Sequence, residues 1–333
     1  MDGDGIAEAR RAAAAFAPGI GAVERFGGGH INDTFLVATA VGELIVQRFN
    51  TAVFTDPEAV TANIVVLHRQ LGDVGVLPEP VATENGLWLV EDGAGVWRAW
   101  RRVSGAAPVP AATPSVAREA GRLLGRFHHA VAGLDPAEFV ETLPGFHDPA
   151  RRLAALRAVA GADPFGRAAG VAEEIGLAEA GEPLAARAAD LSARVPRRVA
   201  HYDAKLDNVL FAGGQAVCLV DLDTVMPGAW FWDVGDLLRS AATTAAEDDP
   251  GAVVDPTLYR AVLDGYSDGV LGAATAAEQE AAGYAGAIVT YEQAVRFLTD
   301  WIAGDVYYRI TRPTQNLDRT RAQFRLLASM PQP

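Results

Sequence analysis

The chain holds one cysteine, Cys218, in 333 residues. That excludes an internal disulfide and any cysteine-based zinc site, and nothing points to an oxidising compartment. Positive charge is also short. The formal net charge is -14, the opposite of the basic face a nucleic-acid binder needs. An acidic chain remains compatible with cationic or polyhydroxylated small molecules. No run approaches 18 uncharged apolar residues, so no membrane span is expected. The acidic first residues, "MDGDG", precede no long apolar stretch, so no signal peptide is expected and a cytoplasmic location is. A P-loop is missing too: Gly27, Gly28 and Gly29 are followed neither by GK[ST] nor by a helix.

Apolar residues make up 50% of the chain, enough for a large core, and the length favours two lobes. After a short helix over 6–17, strands are expected at 22–26, 34–39 and 43–49, with "AVG" turning the last two. "TDPEAVTANIVVLHRQLGDVG" reads as a helix capped at Thr55 or Asp56, with Pro57 at its first position. "LPEPVAT", "LWLVED" and "GVWRAWRRV" read as further strands. "GAAPVPAATPS" then reads as a Pro/Ala linker. Beyond it come helices, with Leu123, Leu124, Phe127 and Val131 at helical spacing. Short strands at 199–201, 209–211 and 216–220 interrupt them, and 171–195 and everything after Asp233 read as helix. The expected fold class is α+β, with a small antiparallel β-rich lobe over 1–103 and a larger, mainly helical lobe over 104–333.

The short strands carry "HYDAKLDNVLF" and "VDLD". Buried carboxylates are costly unless paired, hydrogen-bonded or bound to metal. Asp221 ends an apolar strand, and Asn208 precedes Val209-Leu210-Phe211. Both offer hard oxygen ligands suited to Mg2+. Asp203 lies on the loop between, placed to accept a proton from an attacking hydroxyl. Together they suggest phosphoryl transfer, with backbone N–H groups of the glycine turn toward the phosphates. Each piece alone has a plainer reading: an Asx-bonded loop, a hairpin turn, or solvated strand-end charges. The conjunction His-x-Asp-x4-Asn, a strand-ending Asp thirteen residues on, and a β-lobe with a glycine turn is what carries the argument.

These motifs resemble the protein-kinase-like phosphotransferases, in particular the aminoglycoside phosphotransferase superfamily. A closer resemblance, to the N-acetylhexosamine 1-kinases, rests on "GGGHINDTFLV", "VQRFNTAVFTDPEAVTANI", "LPGFHDPARRL", "VDLDTVMPGAWFWDVGDLLRSAATTAAED" and "RFLTDWIAGDVYYRI". The resemblance implies a protein-kinase-like two-lobe fold, ATP as cosubstrate and Mg2+ as cofactor. It implies Asp203 as catalytic base and Asn208 and Asp221 as metal ligands. Asp223 would be a second ligand or would pair a neighbour. Nucleotide contacts fall to Gly27, Gly28, Gly29 and His30, and to Gln47 or Arg48, where kinases carry a lysine. Strand alternation lets only one of those two face the cleft. Sugar contacts fall to Asn32, Asp33, Asp203, Arg239, Glu247, Asp248, Arg296, Asp300 and Asp305, with stacking by Trp301, Tyr307 and Tyr308. Arg296 and Asp300 also stand at i,i+4, the spacing of a plain helix salt bridge. His201 braces the loop, Asp233 and Asp236 pin it, Lys205 approaches the phosphoryl group or is solvated, and Glu58 is a candidate partner on the first lobe's helix.

The expected activity is phosphorylation of the anomeric hydroxyl of N-acetylhexosamines. Other readings are a same-fold kinase for another hexose, hexosamine, aminoglycoside or amino alcohol, a pseudokinase, and a metal hydrolase. The intact Asp203, Asn208 and Asp221 set argues against the pseudokinase. A hydrolase leaves the β-lobe unexplained.

Overall fold

In the computed structural model, which describes residues 2–27, 31–72 and 75–331, the alternating N-terminal segments build one antiparallel sheet. Helix α1 (Asp2–Phe16) precedes β1 (Val23–Arg25), β2 (Asp33–Thr39) and β3 (Gly42–Arg48). Helix α2 (Pro57–Leu71) follows, then β4 (Pro80–Val81), β5 (Val90–Asp92) and β6 (Gly95–Arg101). The strand order is β1-β2-β3-β6-β4, with β5 also on β6. Asp56 caps α2 by accepting from Ala59 N, with Pro57 just inside, as the sequence signals.

Alternation sorts the sheet's two faces. Phe35, Val37, Leu44, Val46, Trp97 and Ala99 pack on Ala9, Ala12, Ala13 and Phe16 of α1. Ile45 and Trp100 face the other way, into the core shared with α2 and the helical region. The register pairs Gln47 with Arg98 and Arg48 with Trp97. It puts Gln47 and Arg98 on the inner face and Arg48 on the α1 face.

The helical region comprises α3 (Pro114–Val131), α4 (Pro149–Ala162), α5 (Ala172–Ala180) and α6 (Glu182–Arg194). Short strands β7 (Arg198–Ala200), β8 (Val209–Ala212), β9 (Gln215–Leu219) and β10 (Met226–Gly228) come next. Helices α7 (Trp230–Ala241), α8 (Pro256–Val270), α9 (Ala276–Ile302) and α10 (Gln315–Ala328) close the fold. Two helical expectations need correction. The helix read over 171–195 breaks at Gly181, where a Cβ would sit 2.2 Å from the Tyr291 ring, so a tyrosine of α9 occupies that space. The chain after Asp233 is not helical throughout, because 242–255 and 303–314 are irregular. Strand β10, too short and Pro-containing to show periodicity, pairs with β7. The Pro/Ala stretch is tied down: Ala107 and Phe211 exchange hydrogen bonds of 3.1 and 2.8 Å. Among the described residues no helix is long and apolar enough to cross a membrane.

Helices α3 and α8 cross backbone to backbone. A Cβ on Gly265 would lie 2.0 Å from the Arg118 carbonyl oxygen, and one on Gly121 would lie 2.2 Å from that of Val262. Neither backbone can yield without parting the helices. Gly265→Ala should therefore destabilise the protein by about 1–3 kcal/mol, the usual cost of overpacking. Gly161→Ala, where α4 has open space, should stabilise it by about 0.5–1 kcal/mol. Urea unfolding midpoints for the two variants would check the opposite signs.

Candidate active site

The loop after β7 takes its shape from α7. Asp233 is fully buried and accepts from His201 N at 2.8 Å, Tyr202 N at 2.7 Å and His128 Nε2 at 2.9 Å. Burial works against its ionisation, but His128, His201 and these donors outweigh it and hold the carboxyl below its ordinary value. Tyr202 takes φ +67°, a conformation a tyrosine holds only under constraint. Its ring fills the space beside Gly228, where a Cβ would sit 1.7 Å from the Tyr202 oxygen. His201 Nδ1 accepts from Asp203 N at 3.3 Å and its Nε2 faces the Val220 carbonyl at 3.1 Å. The imidazole thus braces the loop against the segment that runs from β9 to Asp221. Burial pushes its pKa down.

Asp203 is partly exposed and receives Lys205 Nζ at 2.8 Å and Asn208 Nδ2 at 2.9 Å. Desolvation opposes its charge, but Lys205, His201 and Asn208 prevail and lower its pKa. It is ionised at neutral pH and can accept a hydrogen bond from an acceptor hydroxyl. Lys205 is the chain's only lysine. Burial lowers and Asp203, Asp221 and Asp236 raise its pKa, with a net rise, so it stays charged.

The Asn208 amide nitrogen is turned to Asp203, so among the described residues nothing donates to Asn208 Oδ1. Asp221 reaches solvent and sits in a left-handed turn at φ +67°. Desolvation by its surroundings, then Asp223 and Asp203, push its carboxyl up to about 7. This corner is short of positive charge. Among the described residues no three His, Cys, Asp or Glu groups converge into a complete metal cage. Mg2+ commonly takes one or two protein oxygens and completes its shell with water and substrate phosphates. The Asn208 and Asp221 pair fits that demand. Asp223 does not lie open beside them: it is 1% exposed, ion-paired with Arg98 and receives Asn32 Nδ2 at 2.6 Å. Of the two roles expected for Asp223, the structure displays the pairing one.

Gln47 is the residue that faces inward. Its Oε1 accepts from Arg98 Nε at 3.0 Å, Arg98 Nη2 at 2.8 Å and Trp100 Nε1 at 2.8 Å. Arg48 is a correction, since on the α1 face it pairs with Asp33 and, at 2.8 Å, with Glu8. Asp33 is corrected with it, engaged there by Arg48 and Arg25. Asn32 points to the site, joining Asp223 to Asn50 N. Gly27 takes φ +72°, a turn that favours glycine; Gly28, Gly29 and His30 lie outside the described residues. Glu58 is exposed, and α2 instead aims Asn63 at the Val225 carbonyl at 2.9 Å.

On the other side of Asp203, the Arg296 guanidinium lies 5.2 to 5.9 Å from the rings of Phe146, Tyr307 and Tyr308. Asp203 is within electrostatic reach of it. Arg296 does not pair with Asp300. Asp300 instead accepts from the backbone N–H groups of Val306, Tyr307 and Tyr308 at 2.8 to 3.0 Å and from Asn316. Asp305 is taken by Arg167 at 2.6 Å and Asn316 at 2.9 Å. Both carboxylates, expected at the sugar, shape the loop that presents the tyrosines. Arg239 and Glu247 pair with each other at 3.0 Å, with Asp236 and Arg319 on either side. Asp248 is held by Arg312 and Gln315. Trp301 is stacked by Arg167, 4.1 Å from its ring.

Sequence reasoning missed Arg98, Arg152 and the pair His147 and Glu292. Cross-strand register would have found Arg98, opposite the inward Gln47. His147 Nδ1 meets Glu292 Oε2 at 2.6 Å, and its ring stacks on Trp232 at 4.8 Å. Arg152 lies beside Glu292 and Arg296, and its pKa is lowered by burial and by Arg296. No local pattern marks it.

Residues 22–284 match the APH phosphotransferase enzyme family, and the chain belongs to that family. It is thus a phosphotransferase, and its fold is protein-kinase-like. Solved structures share that fold. The aminoglycoside phosphotransferase of Alicyclobacillus acidocaldarius superposes with a TM-score of 0.64 at 15% identity, over 94% of this chain and 91% of that one. The choline kinase LicA of Streptococcus pneumoniae superposes at 0.60 and 13% identity, over 99% and 100%. A spectinomycin phosphotransferase bound to ADP and spectinomycin superposes at 0.59 and 11%, over 91% and 88%.

Because the folded Asp233 carboxyl is depressed, its contribution to stability is complete above the ordinary value of 3.8 and is lost as the pH falls through the lower folded value. Asp233→Asn should lower the melting temperature at pH 7, and the gap to wild type should narrow below pH 4. Melting curves of both proteins across pH 3–7 would check it.

Proposed function

We propose that this phosphotransferase is an ATP- and Mg2+-dependent kinase that phosphorylates the C1 hydroxyl of N-acetylhexosamines such as GlcNAc and GalNAc. Asp203 accepts the hydroxyl's hydrogen bond and takes its proton as the sugar oxygen bonds the γ-phosphorus and the bond to the β,γ-bridging oxygen breaks, releasing ADP. Lys205, beside Asp203, offers positive charge toward the transferred group. Mg2+ held by Asn208 and Asp221 would supply charge against the phosphate oxygens. The spectinomycin enzyme, which shares this fold, was crystallised with ADP, which supports nucleotide use here.

The observation that favours a neutral acceptor over a cationic one is the charge of the acceptor side. Arg296 and Arg152 flank it with Phe146, Tyr307 and Tyr308. The nearby carboxylates are already engaged: Glu292 by His147 and Asp148 N, Asp300 by backbone donors, and Glu247 by Arg239 and Arg319. Among the described residues, a choline or an aminoglycoside would meet two guanidiniums there, with Glu292, Asp300 and Glu247 already engaged. A sugar bearing an acetamido carbonyl suits arginine donors and aromatic faces.

An ADP-release assay with Mg-ATP and GlcNAc, GalNAc, glucosamine, glucose, galactose, kanamycin or homoserine tests this reading. Release with the N-acetyl sugars and a phosphate on C1 by NMR is expected. Release only with kanamycin or homoserine would sink the sugar assignment and leave the phosphotransferase class intact. Asp203→Asn should abolish turnover while Mg-ATP binding persists. Asp221→Ala should weaken Mg-ATP binding itself. Arg296→Ala should raise the sugar KM about tenfold or more and leave the ATP KM near wild type. Steady-state kinetics with each substrate varied in turn separates these outcomes.

A further inference from the structure

With one lysine in the chain, fixed on the catalytic loop at Lys205, no lysine is available on the sheet to meet a nucleotide's phosphates. The inward position on β3 is Gln47, an amide whose oxygen already accepts from Arg98 and Trp100. Its nitrogen donates to Thr34 Oγ1 at 3.2 Å. Gln47 therefore works as a bracket for Arg98, its partner across the β3–β6 register.

Arg98 is held on every side but one. Its side chain is 4% exposed. Its guanidinium lies 4.4 Å from the Phe49 ring and 5.0 Å from the Trp100 ring. Nε and Nη2 meet Gln47, and Nη2 also meets Asp223. Nη1 is buried and, among the described residues, has no hydrogen-bond partner. A desolvated guanidinium donor without an acceptor is costly, and a charged acceptor is the partner that best relieves it. Arg98 also lies within electrostatic reach of Asp221, the residue placed at the metal corner.

We infer that Arg98 is the phosphate-binding cation of this enzyme, with Nη1 donating to a phosphate oxygen of the bound nucleotide and Gln47 as its positioning residue. The ligand class is a nucleoside di- or triphosphate. The inference rests on the proposed use of ATP and not on which acceptor is phosphorylated.

Calorimetric titration with adenosine, Mg-ADP and Mg-ATP, without any sugar, tests it. Because Arg98→Met alone would strand Asp223 in the interior, the comparison is Asp223→Asn against Arg98→Met/Asp223→Asn. The double variant should bind Mg-ADP or Mg-ATP about ten- to a hundredfold more weakly than Asp223→Asn, with adenosine affinity unchanged. Gln47→Met should weaken Mg-ATP but not adenosine, and Gln47→Glu, which keeps the acceptor oxygens, should restore binding. Equal losses for adenosine and Mg-ATP, or no loss for either, would overturn the inference and leave Arg98 a structural partner of Asp223. Wild-type protein that binds no nucleotide would overturn the kinase reading as well.

Discussion

Asp233 accepts three hydrogen bonds in a site closed to water, from His128 and from the main-chain N–H groups of His201 and Tyr202. A buried carboxylate is tolerated when its lone pairs are met by donors, and then it fixes those donors in place. Two of these donors are the residues just before Asp203. Tyr202 is held at φ +67° against its own preference, which presents Asp203 on the far side of the turn. His128 is itself held by Tyr266 and stacked on Trp230 at 4.5 Å. The position of Asp203 therefore depends on α3, α7 and α8 together. The backbone-close crossing of α3 and α8, made possible by their glycines, reaches the site through this chain of contacts.

Asp223 does for the two regions of the fold what Asp233 does for the loop. It meets Arg98 from β6 and Asn32 from the start of β2, while Asn63 of α2 ties the Val225 carbonyl two residues further on. An ion pair with side chains 4% and 1% exposed gains little over an apolar packing of the same shape, but losing one partner is costly. Its value here is one of placement. It sets the inner face of the sheet against the segment that leads from β9 to Asp221.

Much of this was legible in the sequence because local signals and the fold agree. The capped α2, the hairpin of β2 and β3, and the spacing from Asp203 to Asn208 and Asp221 all follow from short-range patterns. What escaped depends on which face of a strand or helix meets which neighbour. Alternation showed that one of Gln47 and Arg48 points inward but not which, since that is decided by α1 covering the other face. Asp300 and Asp305 look like ligand residues in a motif, yet their carboxylates fold the loop around Tyr307 and Tyr308. Arg152 carries no periodic signal, and only the packing of α4 on α9 brings it beside Arg296.

The cluster of acids that marks the sequence resolves into three carboxylates with different counterions. Asp203 has Lys205, and Asp223 has Arg98 and Asn32. Among the described residues Asp221 is ion-paired with no cation, and desolvation, then Asp223 and Asp203, raise its pKa more than Lys205 and Arg98 lower it. A fold that supplies a lysine and an arginine to two acids and leaves the third open to solvent has left one place for a mobile positive charge. This is the physical reason to expect the divalent cation at Asp221 and Asn208 rather than at Asp223. Under the proposed function, the missing positive charge would arrive with the nucleotide, as its bound metal.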